Sequence, residues 1–195
     1  MQVIVATLDA CVLFQGRLTD LLLNLGEAGA FEPVWSDAIH EEWMKNLSMK
    51  FGIPADKISY RRGEMEKAFP VANVAATPAL ISSVQAFCKT AAQRKDAHVV
   101  ATAIRAKADV IVTHNIKDFA SSALGEFNLS KVRPDDFCVQ LLAAQTEKVL
   151  KGVSGHRASL KKAAFSSAGY LEYLADEKSG MPKFALALEP YLSRI

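Results

Sequence analysis

Cysteine is scarce in this chain: Cys11, Cys88 and Cys138 are odd in number, widely spaced and form no CxxC pair. That argues against a disulfide framework and against a thiolate zinc site, and a reducing cytoplasm suits it. Also missing is any run of about 18 apolar residues that would cross a bilayer. The opening residues, MQVIVATLDA, carry no basic leader and reach Asp9 before an apolar stretch develops, so they do not read as a signal peptide and no membrane association is expected. Net charge is low as well. A formal +2 is too small to indicate a nucleic-acid partner from bulk electrostatics, so any such reading has to rest on local features. The chain has no phosphate-binding P-loop, no GxGxxG turn after a strand and no HExxH helix, and it shows neither internal repeats nor low-complexity tracts.

What is present is the balance of an ordinary globular protein, with 50% apolar and 23% charged residues over 195 positions, enough for one principal domain with a small appendage. Val3–Leu8 is β-branched and apolar on both alternations, which predicts a strand buried on both faces of a parallel sheet. Leu18, Leu21, Leu22, Leu25 and Ala28 recur at helical spacing, with Gly29 as terminator. Pro33–Trp35 is extended, and Ser36 or Asp37 caps a helix carrying Ile39, Trp43, Met44 and Leu47. Residues 50–82 predict one or two helices and a short strand near Val71–Val74. Lys95–Lys107 is amphipathic, with Asp96 in its first turn, and runs into the apolar strand DVIVT at 109–113. Val132 predicts a last short strand before a helix opening at Pro134. After Lys151 the stretch GVSGH breaks the pattern, and short helices are expected around 157–165, 168–177 and 182–192. The expected organisation is an α/β domain over 1–150 with a mostly parallel sheet, followed by a helical extension over 151–195.

Alternating strands and helices place ligands outside the carboxyl ends of parallel strands. Asp9 follows the first strand directly, and Asn115 and Asp118 follow the strand at 109–113 within a few residues. Asp96 precedes that strand, and Glu41 and Glu42 lie in the first turns of the helix after the second strand. Segments far apart in the chain thus bring carboxylates to one rim. Hard divalent cations prefer such oxygen donors, and crowded carboxylates repel without one. A bound cation acidifies water and neutralises charge developing on a phosphate, which is phosphodiester hydrolysis.

The segments LDACVLF at 8–14, SDAIHEEWMKNL at 36–47, KDAHVVATAI at 95–104 and IVTHNIKDF at 111–119 resemble, in order and spacing, the PIN-domain family. The resemblance spans about residues 1–137 and is nearest to the VapC-type toxins of bacterial toxin–antitoxin pairs. The long tail, including SGHRASLKK at 154–162, is similar to an extension found in one subgroup of them. The resemblance implies a PIN-like three-layer α/β/α fold and a cytoplasmic endoribonuclease dependent on Mg²⁺ or Mn²⁺. It further implies an RNA substrate, an antitoxin protein and a homodimer. Residue by residue, it carries over Asp9, Glu42 and Asp96 as metal-coordinating, catalytic acids, with Glu42 preferred to Glu41 because it precedes Trp43. Asp118 stands as a fourth candidate. The family pattern Thr-x-Asp-x-Asp-Phe reads here with Asn115 in place of its first aspartate, a loss of charge that predicts one tightly held metal and a second that arrives with the RNA. Thr113 and Asn115 are supporting residues, and Arg94, Lys95 and Lys117 are candidate RNA contacts. His156, Arg157, Lys161 and Lys162 form a second basic group.

Plainer roles exist for each of these residues. Asp9 and Asp118 are common turn acids, Asp96 is a favourable charge at a helix start, Ser36 is a cap, and His98 and His114 are structural more often than catalytic. Two further functional readings stand beside the toxin: an RNA-processing nuclease of the same fold, and a degenerate PIN domain that binds RNA or protein without cleaving.

Overall fold

The computed structural model describes residues 3–119, 121–160 and 165–195. Strand β1 (Ile4–Leu8) leads through a one-turn helix α1 (Ala10–Leu13) into α2 (Gly16–Glu27), and Gly29 adopts φ +78° to turn the chain into β2 (Phe31–Val34). Helices α3 (Asp37–Phe51), α4 (Ala55–Ala68), α5 (Pro78–Gln85), α6 (Ala91–Lys95) and α7 (Ala97–Ala106) precede β3 (Val110–Val112). A 3₁₀ turn (Ile116–Asp118) and α8 (Ser121–Glu126) lead to β4 (Ser130–Val132), and α9 (Pro134–Ala144), α10 (Thr146–Ser159), α11 (Ser167–Ala175), α12 (Pro182–Leu188) and a 3₁₀ segment (Glu189–Arg194) complete the chain.

The four strands are all parallel and run in the order β2-β1-β3-β4. The chain moves one way from β1 to β2 and the other way from β2 to β3. With right-handed crossovers, α2 and the α3–α7 group therefore fall on opposite faces, giving the α/β/α layering, and a crevice opens between the carboxyl ends of β1 and β3. Leu8, Val12, Trp35, Trp43, Ile111 and Val112 are completely buried in one core.

Several local expectations are corrected. The strand near 71–74 is an isolated parallel bridge, Trp35 to Asn73, beyond the end of β2. The helix at 95–107 is two pieces, and Asp96 sits at their joint with φ −88° and ψ 4°. The expected break at GVSGH is absent: α10 continues through Gly152 and Gly155 to Ser159 and spans the 150/151 junction. A Cβ at Gly152 would stand 2.8 Å from the Asn24 carbonyl oxygen and 2.9 Å from the Leu25 Cα. Glycine there lets α10 lie directly on α2, so it serves helix packing rather than termination. His156, assigned to a basic surface group, is completely buried, and burial pushes its pKa down to about 4. Lys161 and Lys162 of that group, and the end of the helix expected at 157–165, lie outside the described residues.

Candidate active site

Because β1 and β3 are neighbours, the residues that follow them meet. Asp9, 4% exposed, accepts a hydrogen bond on Oδ2 from Thr113 Oγ1 at 2.6 Å and another from the Cys11 thiol at 3.0 Å. The His114 amide donates to Cys11 Sγ, and the Asn115 amide donates to Thr113 Oγ1. Two strand-end loops are thereby tied to one carboxylate oxygen. Burial first, and then the Asp9 charge, push the Cys11 thiol up to about 12, so it stays protonated and keeps donating.

Asp96, 8% exposed, makes no capping hydrogen bond to α7. Burial, followed by the charges of Asp9 and Glu42, raises its pKa to about 7. Glu42 reaches the same place from the second turn of α3, a helix that starts where Ser36 Oγ accepts the Ile39 amide. Lys95 Nζ donates to Glu42 Oε1 at 2.7 Å, and His98 Nε2 stands 3.9 Å from Glu42 Oε2. Asp9, Glu42, Asp96 and Asn115 line a single cavity of about 330 Å³.

A profile of the PIN domain matches residues 5–117. The chain belongs to the PIN-domain family. The rest of this PIN protein also has a counterpart: the profile of the VapC50 C-terminal domain matches residues 134–190. A protein of Mycobacterium tuberculosis (strain ATCC 25618 / H37Rv), described as "Putative ribonuclease VapC50", is 33% identical over 91 residues. That alignment covers 47% of this chain and 52% of the relative, so the chain spans about half the length of the curated relative it matches. No solved structure matches.

The remaining candidates of this PIN domain are spread more widely. Glu42 lines this cavity, whereas Glu41 is exposed and lines only a neighbouring one. Asp118 lies on the 3₁₀ turn and contributes its charge to the Asp96 carboxyl, but it does not line the cavity. Arg94 donates to the Cys88 carbonyl on the α5–α6 side, and Lys117 is exposed beyond Asn115. Gln15, Asn46 and Lys50 also line the cavity, and sequence reading missed them. Asn46 and Lys50 follow Glu42 at helical spacing of four, the one signal that could have found them.

The donors present suit a hard divalent cation. They are oxygens from carboxylates and an amide, and a cation would offset both the burial and the neighbouring charges that raise Asp96. Among the described residues no three acidic, imidazole or thiol side chains yet converge tightly enough to grip one ion. Glu42 is turned toward Lys95 and would have to leave it.

Proposed function

We infer that this PIN protein is a metal-dependent endoribonuclease and the toxin member of a VapC-type pair, acting in the cytoplasm, restrained by an antitoxin protein and working as a homodimer. The observation that carries the reading is the meeting of Asp9, Glu42 and Asp96 in one cavity at the strand carboxyl ends. The ribonuclease description of the relative from Mycobacterium tuberculosis supports it.

Asp9, Glu42 and Asp96 would hold Mg²⁺ or Mn²⁺, with the Asn115 side-chain carbonyl beside them. Such an ion supplies an acidified water and neutralises charge on the scissile phosphate. The chain's own residues do the rest. Thr113 and Cys11 fix the rotamer of Asp9 through Oδ2, leaving Oδ1 free of them. Lys95 occupies Glu42 in the resting site and, once released, is placed to meet a phosphate oxygen. Asp118 adds negative charge from the rim. Lys117 and Arg94 stand further out along the RNA path.

The degenerate reading draws on two observations, the replacement of a family carboxylate by Asn115 and the pairing of Glu42 with Lys95. One experiment decides between them. Total cellular RNA is incubated with wild-type and Asp9→Asn protein in Mg²⁺, Mn²⁺ or EDTA, and new 5′ ends are mapped. Discrete cuts that need both metal and Asp9 support the nuclease; no cuts under any condition turn the assignment to a partner-binding domain. Growth arrest on expression, abolished by Asp9→Asn, separates a toxin from a processing nuclease.

A further inference from the structure

Away from the carboxylates, the exposed side of α3 is built in a way that metal binding does not require. Glu42, Asn46 and Lys50 recur every four residues and share a face. Two cavities meet along it. The first, about 330 Å³, runs from Asp9 and Asp96 to Phe14 and Lys50. The second, about 460 Å³, runs from Lys95 past Lys45 to Met49 and is lined by Glu41 as well. Glu42 and Asn46 belong to both, so they form one trough with the acids at one end.

Phe14 closes the first cavity, and Phe51, which lines neither cavity, packs on it from outside. Phe14 and Phe51 are stacked, with ring centroids 5.5 Å apart and planes at 23°. Phe51 is 65% exposed and Met49 is 73% exposed, an unusual amount of open apolar surface beside a carboxylate cluster. Lys50 Nζ lies 5.2 Å over the Phe14 ring. Lys95 is committed to Glu42, but neither Lys45 nor Lys50 has a carboxylate partner among the described residues.

Resting on the nuclease reading above, we propose that the Phe14–Phe51 pair is a stacking platform for an unpaired nucleobase of the substrate, flanking the scissile phosphate, with Lys50 on the phosphate between. The argument is one of complementarity. The ligand of this trough must present phosphate to the acid end, anionic charge to the unpaired Lys50 and a flat apolar face to the aromatic pair. An extended ribonucleotide chain offers all three in sequence. A base still inside a duplex has no free face for Phe51, which excludes regular double helix.

The test uses the full-length protein carrying Asp9→Asn, so that RNA is bound and not cut. The probes are fluorescein-labelled (rA)₈ and an abasic ribose-phosphate octamer of equal charge, titrated in Mg²⁺ by anisotropy. The protein with Phe51 intact binds (rA)₈ about fivefold or more tightly than the abasic chain, the scale of one stacked base. Phe51→Ala brings the two affinities together by weakening only (rA)₈, and Phe51→Trp restores the gap. Lys50→Ala weakens both probes alike and lowers the slope of log K against log salt by about 0.7. Phe51 is largely exposed, so its variants are expected to fold, and thermal unfolding checks this.

An (rA)₈-to-abasic ratio unchanged by Phe51→Ala overturns the platform. So does a Phe51→Ala variant that alters the oligomeric state in sedimentation while leaving RNA affinity alone, which makes the patch a protein contact. If wild type cuts RNA yet the ratio is unchanged, only the platform is lost. If wild type neither cuts nor binds, the nuclease reading is lost with it.

Discussion

Thr113 Oγ1 donates to Asp9 Oδ2 at 2.6 Å, joining residues 104 positions apart across the β1–β3 crevice. The same hydroxyl accepts the Asn115 amide, so it orients the buried acid and the loop that follows β3 together. Thr113→Val removes the donor, leaves the buried Asp9 Oδ2 with only the weaker Cys11 thiol, and strands the Asn115 amide. It should cost about 1–3 kcal/mol in urea unfolding and roughly 10–100-fold in cleavage rate, the scale for a group that orients a metal ligand. Thr113→Ser should keep both near wild type, and equal losses in the two variants would refute the hydrogen-bonding role.

Asp96 is buried beside Asp9 and Glu42 with no metal to offset them, and its carboxyl is raised to about 7. At pH 8 its ionised form is therefore destabilising. Asp96→Asn should raise the stability of the metal-free protein by on the order of 1 kcal/mol or more while abolishing cleavage. Adding Mn²⁺ should stabilise wild type and leave the variant almost unchanged, as melting temperature with and without metal would show.

A different acid sensitivity resides in the tail. His156 is fully buried between α10 and α11, and its Nδ1 is 2.7 Å from Tyr170 Oη. Burial raises the Tyr170 phenol, so the phenol keeps its proton in its hydrogen bond with His156, whose tautomer sets which group donates. Burial also lowers His156 to about 4. Protonation then favours the unfolded chain, whose histidine keeps an ordinary pKa near 6.5. Above about pH 6.5 the group contributes no pH dependence. As pH falls from there to about 4, stability should decline by about 1.4 kcal/mol per unit, levelling off below. The quantity to measure is the difference between wild type and His156→Gln across pH 4–8. A flat difference would contradict the assignment, and because His40, also held near 4 by burial first, is common to both proteins, it cancels.

Gly152 and Gly63 make opposite demands on the same substitution. At Gly152 an added Cβ meets the Asn24 carbonyl and the Leu25 backbone of α2, and relief would need a shift of one helix against the other. Gly152→Ala should cost about 1–3 kcal/mol. At Gly63, inside α4, nothing stands within 4 Å, so Gly63→Ala should stabilise by roughly 0.5–1 kcal/mol. Chemical denaturation of the two variants in parallel checks both signs.

These particulars show what could be read in advance. β1 and β3 are continuous apolar runs bounded by polar residues, and the acids at their ends follow from strand polarity alone. Ser36 as a cap and Trp43 as core were legible from spacing. Gly152 and Gly155 misled because a glycine that ends a helix and one that admits a neighbouring helix are written alike. His156 and Arg157 read as a basic surface pair, yet Tyr170 buries the first and Ser167 accepts from the second at 2.7 Å. Both partners lie on α11, which local pattern does not place.

By itself the sequence determined the α/β class, the mostly parallel sheet and the position of Asp9 at the end of the first strand, because these depend on hydrophobic period and strand direction, properties of neighbouring residues. Tertiary structure alone decided that Lys95 holds Glu42 and that Phe14, from the turn before α2, stacks on Phe51 at the end of α3. Those outcomes depend on the rotation of one helix and the meeting of distant segments, which packing sets over the whole core and no local pattern encodes.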